Sequence, residues 1–245
     1  MNRAQEQRTR SNGRIPTGIE GFDAMAGGGL PRGGITVVMG GAGAGKSIFG
    51  LQVLAGRAGA GEAGLVVAFE EKADRILANT AGFSWGGEAL TGGVEVIDAL
   101  IPHSAQIIGA FDLIGLLAIV GARAEQTRAS LVVFDGLDVL LDLLGDAALA
   151  RREVCRVRDW VHDGGVSAIM TAKADATEAR PPAAYDFLPF MADCVVTLHH
   201  RVVHGKASRS ARVAKYRGAN HSSNEFPIIL SSAGLEVAAR RSVYP

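Results

Sequence analysis

Residues 40–47 read Gly40-Gly41-Ala42-Gly43-Ala44-Gly45-Lys46-Ser47, a complete G-x-x-x-x-G-K-[ST] run directly after the apolar segment ITVVM. Each residue type answers a chemical need. Glycines let backbone N–H groups point inward around phosphate oxygens, and a helix starting at the end of the run adds its positive N-terminal end. Lysine at position 46 suits the β- and γ-phosphates of a nucleotide, and the hydroxyl at position 47 suits Mg²⁺. The plain alternative is a flexible Gly/Ala connection, which the strand-loop-helix context disfavours.

Hydrolysis needs a metal-orienting acid and a base as well, and two other strand ends supply candidates. Asp135 closes LVVFD, the apolar-strand-plus-Asp pattern of a Walker B site, where a carboxylate holds the Mg²⁺ shell through water. Glu70 and Glu71 close LVVAF, and a carboxylate there can polarise an attacking water. Adjacent residues at a strand end point in different directions, so one of the two is expected to reach the water, and the sequence leaves open which. Asp135 as a turn cap and the glutamates as helix-start charges are the competing structural readings.

These groups meet only if the strands that carry them lie side by side. ITVVM (35–39), LVVAF (65–69), VEVID (94–98), LVVFD (131–135) and VSAIM (166–170) are near-continuous apolar runs. Helical stretches separate them: one through Leu54, one through Ala78, one around Phe111 to Gln126, and one over Arg151 to His162, with an apolar connection before the last. Such strands suit a parallel sheet covered on both faces, an α/β fold whose ligands bind at the carboxyl ends of the strands. After Pro181-Pro182, CVVTLHHRVV, GKASRS and ARVAKY read as a hairpin followed by strands at FPIIL and LEVAA, an antiparallel extension of the same domain. Residues 1–14 read as a flexible polar tail and 15–245 as one domain.

Composition narrows the class. The 25 basic and 25 acidic residues cancel, which argues against a chain built to coat nucleic acid or an anionic membrane. With 48% apolar residues there is material for a large core, so disorder is excluded as a description of the whole. Cys155 and Cys194 are far apart and sit in apolar segments, as reduced thiols do. Asp135, Asp138 and Asp142 interrupt the longest greasy stretch, so no membrane span is expected, and no secretory signal is visible. A cytoplasmic protein is expected.

The segments GIEGFDAMAGGGLPRGG, GGAGAGKSIFGLQ, VVAFEEKADRILANTAGFSW, LVVFDGLD and AKYRGANH, in this order, resemble the RecA-like ATPase domain of the KaiC family, from about Thr17 to about Leu235. The resemblance implies a RecA-like P-loop NTPase fold and ATP as the nucleotide. It implies that Gly43, Ala44, Gly45, Lys46, Ser47 and Ile48 wrap the phosphates, that Glu70 and Glu71 are the catalytic pair, and that Asp135 is the Walker B acid. Gly82 falls at a position near adenine and ribose. In KaiC rings the Lys-x-Arg element reaches a neighbouring subunit's nucleotide, which implies trans roles for Lys215 and Arg217, with Tyr216, Ala219, His221, Ser231 and Ser232 around them. KaiC itself carries two such domains, the first of which binds KaiB and the second of which carries an autophosphorylated Ser-Thr pair. Here the matching stretch reads Pro189-Phe190-Met191-Ala192-Asp193, so autokinase activity is not expected and the chain is more similar to the first domain. Ala219-Asn220 replaces a small threonine-like position before His221.

Other features are weaker. Six basic residues lie between His199 and His221, a pattern that suits either a DNA-binding strip or a solvated hairpin. His199 and His200 should face opposite sides of a strand, and His204 lies about 13 Å from His200 along it, too far for a shared metal ion. Thr171-Ala172-Lys173-Ala174-Asp175 lacks the amide of a guanine-reading element. Leu140, Leu141, Leu143 and Leu144 suit packing or a subunit contact. The expectation is an Mg²⁺-dependent ATPase assembled as a homo-oligomeric, hexameric ring with a possible KaiB-like partner. A single-stranded-DNA-dependent recombinase-type ATPase and a nucleotide-gated binding module are the alternatives.

Overall fold

The structure is a computed structural model that describes residues 13–100, 112–175 and 182–238. The expected tail therefore lies outside the described residues, apart from its last two positions. So do the start of the helix expected at Phe111, the end of the strand expected through Ala239, and the remainder to 245.

In chain order the strands are β1 (Arg14–Ile15), β2 (Leu30–Pro31), β3 (Ile35–Gly40), β4 (Gly64–Ala68), β5 (Val94–Asp98), β6 (Leu131–Asp135), β7 (Ser167–Lys173), β8 (Cys194–Val203), β9 (Lys206–Tyr216), β10 (Glu225–Ser231) and β11 (Gly234–Val237). The helices are α1 (Phe22–Met25), α2 (Lys46–Gly59), α3 (Ala73–Thr80), α4 (Glu88–Thr91), α5 (Leu113–Thr127), α6 (Leu137–Leu144), α7 (Ala147–Gly164) and α8 (Leu188–Met191). Nine strands form one sheet in the order β11-β10-β9-β8-β3-β7-β6-β4-β5. The ladders from β5 through β4, β6, β7 and β3 to β8 are parallel, whereas β9, β10 and β11 are added antiparallel. The α/β class and the antiparallel ending are as expected from the strand pattern.

The apolar runs are continuous because both faces of the sheet are covered. Side chains alternate with the period of two that a strand imposes. Val37, Met39, Leu65, Val67, Val132, Phe134, Ala168 and Met170 enter a core with α5, α6 and α7, while Val38, Val66, Val133 and Ile169 enter a second core with α2. Two segments depart from expectation. The apolar connection after Asp135 is the helix α6: Leu137, Leu140 and Leu141 are buried in the first core with Leu144 packed against it, so the leucine cluster is packing. The hairpin turn is only His204-Gly205, both at positive φ (50° and 74°), the geometry of a tight two-residue hairpin turn, and most of the expected connection GKASRS belongs to β9. Both cysteines are free thiols. Among the described residues no helix is long and apolar enough to cross a membrane.

The far end of β9 is anchored by Tyr216. Its ring is buried beneath the Arg14 guanidinium, 4.3 Å from the ring centroid, and its hydroxyl donates to the Gly29 carbonyl at 2.9 Å. Tyr216→Phe removes that bond and should lower stability by about 1–2 kcal/mol, read as a shift in the urea unfolding midpoint at unchanged slope.

Candidate functional site

Among the phosphate-loop residues, Gly43 and Gly45 occupy left-handed backbone (φ 69° and 100°). The helix that follows, α2, has no side-chain cap and no acid in its first turn, in contrast to α5 and α7, which are capped by Asp112 and Asp146. The N–H groups of a helix start are unpaired within the helix and attract negative charge. Here no side chain among the described residues supplies it as a cap. Lys46 donates from Nζ to the Gly41 carbonyl at 3.2 Å, folding its charge over the loop.

Asp135 is brought to the loop by its strand. Ser47 donates from Oγ to Asp135 Oδ1 at 3.0 Å, so the two expected metal-binding residues are together. Thr171 on β7 donates to the same carboxylate at 2.6 Å and accepts the Gly136 N–H at 2.8 Å. Burial pushes the Asp135 carboxyl above its ordinary value, against the lowering effect of the Thr171 and Ser47 bonds and of the Lys46 charge. The set of one hydroxyl, one carboxylate and a neighbouring phosphate site suits Mg²⁺, which keeps several waters and rarely takes an all-protein cage. Consistently, no cluster of three or more His, Cys, Asp or Glu able to hold a metal occurs among the described residues.

The glutamates lie in the bend just past β4, which ends at Ala68, and they point in different directions. Glu70 lies across Gly136: a Cβ at that residue would stand 2.9 Å from Glu70 Cγ, and φ there is 79°, so glycine is needed on both counts. Partial desolvation raises the Glu70 carboxyl pKa, and the charges of Asp138 and Asp135 raise it further, against Lys46. Glu71 turns to α3, accepting from Asn79 at 2.9 Å and pairing with Arg75 at 3.8 Å. Two clefts of about 800 and 500 Å³ meet at Gly43, Lys46, Ser47 and Glu70. The larger continues past Asp138, Lys173 and Asp175, and the smaller past Ile48, Leu51, Thr80 and Phe83. Gly82 is exposed beside Phe83, with open space around it.

The remaining expected contacts fall into two groups. Ser231 and Ser232 lie at the turn between β10 and β11, which packs on their own chain's loop helix. The Ser232 carbonyl accepts from Ser84 N–H, and Gln52 of α2 bonds both backbone groups of Leu235. Lys215, Arg217, Ala219 and His221, with Tyr216, are at the other end of the sheet. Register shows this directly: Gly40 pairs with Leu198 and Leu198 with Ala211, whereas Thr36 pairs with Cys194 and Cys194 with Tyr216. Four residues of β3 and β8 separate the two levels, about 13 Å, with one more on β9 at its bulge, which sets these cations away from a phosphate on their own loop. Instead Lys215 donates to the carbonyls of Pro189 and Ala192 at 2.7 Å each, and Arg217 donates to that of Phe190 at 2.7 Å and pairs with Asp193 at 3.5 Å. Burial, and then the Arg217 charge, lower the Lys215 pKa. Ala219 is half-buried, and the His221 ring lies 6.2 Å from that of Tyr216.

Sequence reasoning did not single out Thr171 or Asp138 for this site. The signal for Thr171 was a hydroxyl near the end of the strand beside LVVFD. For Asp138 it was an acid one helical turn after Asp135, here accepting the Lys173 N–H at 3.0 Å. The six basic residues after His199 do not form one strip: Arg201 pairs with Glu225 at 2.7 Å on one side of the hairpin, and Lys215 and Arg217 are at its far end.

Comparison with known proteins bears on the whole of this arrangement. A family model described as "ATPase: KaiC" matches residues 15–242. The circadian clock protein KaiC2 of Synechocystis sp. is 33% identical over 228 residues, covering 91% of this chain and 40% of the relative. The circadian clock oscillator protein KaiC of Prochlorococcus marinus is 34% identical over 230 residues, 92% of this chain and 46% of its own length. Circadian clock protein KaiC3 of Synechocystis sp. is 33% identical over 95% of this chain and 47% of its own length. The chain thus spans a little under half the length of these curated relatives. A match running from β1 past β11, over a sheet whose strand β3 feeds a phosphate loop, makes the chain a member of the KaiC family, with its RecA-like ATPase domain.

Proposed function

We propose that the chain is an Mg²⁺-dependent ATPase whose active site is completed by a second copy, assembling head to tail into a ring of six in the cytoplasm and serving a timing or signalling role as its relatives' names suggest. The observation that carries this reading is the polarity of the sheet. The phosphate loop is at one end and the Lys215-Tyr216-Arg217 element is at the other, so one copy can offer its cations to the next copy's loop. The larger cleft, lined by Glu70, Asp138 and Asp175 along with Lys46 and Lys173, is the place this reading gives to such an insertion.

In this reading the N–H groups of Gly43 to Ile48 hold the polyphosphate and Lys46 leaves the Gly41 carbonyl for its terminal oxygens. Ser47 and, through water, Asp135 would hold Mg²⁺, which when bound offsets charge on the β- and γ-phosphate oxygens. Glu70 orients a water in line with the γ-phosphorus and takes up its proton as the new P–O bond forms; the bond to the β–γ bridging oxygen breaks and ADP leaves. Arg217 of the adjoining copy meets charge on the γ-phosphoryl oxygens, and the preorganised donors supply most of the acceleration. Glu71, held by Asn79 and Arg75, braces the strand end. Gly82, Ser231 and Ser232 flank the nucleoside end of the same chain's site, while Ala219, His221 and the backbone of Tyr216 shape the donated element. With no Ser-Thr pair before β8, no autokinase step is assigned. The split of the basic residues between two ends of the hairpin disfavours a DNA strip, and a KaiB-like protein is the partner class the family suggests.

Glu70→Gln should lower phosphate release by about 10²-fold or more, and Glu71→Gln by less than about tenfold. Equal losses would return the base assignment to an open question. Arg217→Ala should cost about 10³ in rate with the assembly intact by mass measurement. Mixing it with Lys46→Ala subunits should recover part of the activity, since a mixed interface pairs an intact loop with an intact Arg217; no recovery speaks against a shared site. Mass that stays monomeric with and without ATP would sink the ring.

Only ionised Glu70 accepts a proton, so the rate falls as pH drops through its raised pKa. The acid limb of the rate profile should therefore stand above the ordinary glutamate range. Asp138→Asn removes a neighbouring charge that raises Glu70, and should move that limb to lower pH.

A further inference from the structure

β8 does not stop where the parallel sheet does. Its ladder with β3 ends at Leu198, opposite Gly40, yet the strand runs on through Val203, five residues or about 16 Å further, and β9 returns beside it through the tight His204-Gly205 turn. This extension passes the outer face of the phosphate loop. Arg201 and Ser210 both bond the Glu225 carboxylate, tying the extension to β10. His200 and Arg209 are direct cross-strand partners, and both meet Gly43. Arg209 donates from Nε to the Gly43 carbonyl at 3.4 Å, and His200 Nδ1 is 3.4 Å from where a Cβ on Gly43 would stand. Arg209 has no carboxylate partner among the described residues.

We propose that His200 and Arg209 form a clamp on the outside of the phosphate loop, through which the β8–β9 hairpin sets the site's affinity for the polyphosphate of an adenine nucleotide. The inference rests on the ATPase reading and assigns a regulator to the same site. A peptide unit is planar and trans, so a carbonyl held outward turns the next N–H inward. With the Gly43 carbonyl on Arg209, the Ala44 N–H faces the inside of the loop, where it makes a long 3.3 Å bond to Gly41 that a phosphate oxygen can replace. Arginine is charged at every working pH, and no acid among the described residues pairs with it here, so it adds attraction as well as orientation. The His200 ring closes the space beside Gly43 and keeps the loop from relaxing toward the hairpin. Arg209 is thus a positioning residue, acting through Gly43, in the same chain as the loop, and separate from the Arg217 donated by a neighbour.

The test titrates the full chain with a fluorescent ADP analogue and measures KM and kcat for ATP, for wild type, Arg209→Ala, Arg209→Lys and Lys46→Ala, with melting of the nucleotide-free proteins alongside. Arg209→Ala should weaken nucleotide binding and raise KM by about tenfold, with a fall in kcat of less than about threefold, and Arg209→Lys should recover part of the affinity. Nucleotide-free melting should be the same for both Arg209 variants and wild type. Wild-type affinity in Arg209→Ala, with binding still abolished by Lys46→Ala, overturns the clamp and leaves the ATPase reading standing. A weakened affinity matched by a fall in nucleotide-free melting makes Arg209 a folding support and also overturns it. Failure of the wild-type chain to bind the analogue overturns both.

Discussion

The start of α2 is a cluster of N–H groups that no side chain among the described residues caps, and the surroundings are organised by that positive end. An acid in the first turn would satisfy it and close the site to phosphate. The chain instead brings its acids near and restrains each one. Asp135 is tied by Ser47 and Thr171, and Glu70 is laid across Gly136 with its proton affinity raised. The same restraint explains why the hydrogen bonds within the loop are long or made by a mobile ammonium: Ala44 to Gly41 at 3.3 Å and Lys46 to Gly41 at 3.2 Å are contacts a phosphate can take over.

Two faces of close packing make that arrangement rigid. β3 is buried along its whole length, with Met39 and Val38 entering opposite cores, so the loop at its end starts from a fixed point. β6 and β4 pair in register so that Asp135 stands beside Ala68, which puts Glu70 two residues on from the level of Asp135. The positions of three chemical groups thus follow from one parallel ladder.

What the sequence made legible is what is local or repeated. Strand, loop and helix around Gly40–Ser47 adjoin one another, and each later acid closes a run of alternating buried residues, so pattern alone finds them. Contacts that depend on distant register were not legible. Glu71 stays at the wall of the smaller cleft because Asn79, two turns of chain later, holds it there. Thr171 serves Asp135 because β7 lies beside β6. Ser231 and Ser232 come to the loop helix because the antiparallel extension folds back along it. The helix α6 shows how a legible signal can be passed over: in LDVLLDLL, Asp138 and Asp142 stand four apart on one helical side, both turned to Lys173, while Leu137, Leu140 and Leu141 face the core.

The two ends of the sheet differ in the way an assembling unit requires. At one end the N–H groups that open α2 are capped by no described side chain and stand among Asp135, Glu70 and Asp138; at the other, burial and then the Arg217 charge lower the Lys215 pKa, and Asp193 pairs with Arg217. Their present partners are three backbone carbonyls and, for Arg217, the Asp193 carboxylate at 3.5 Å; a carbonyl offsets a cation less than a phosphate does. Under the proposed reading, a nucleotide held at one copy's loop relieves the crowding at the next copy's Lys-x-Arg element, so binding and assembly favour each other. Unlike ends joined in this sense give a heterologous contact, which either closes into a ring or runs on as a filament. Closure then depends on the angle at which α8, bearing carbonyls that now hold these cations, meets the neighbouring cleft, and Phe190 of that helix is 73% exposed, an aromatic side chain that the described residues leave largely uncovered.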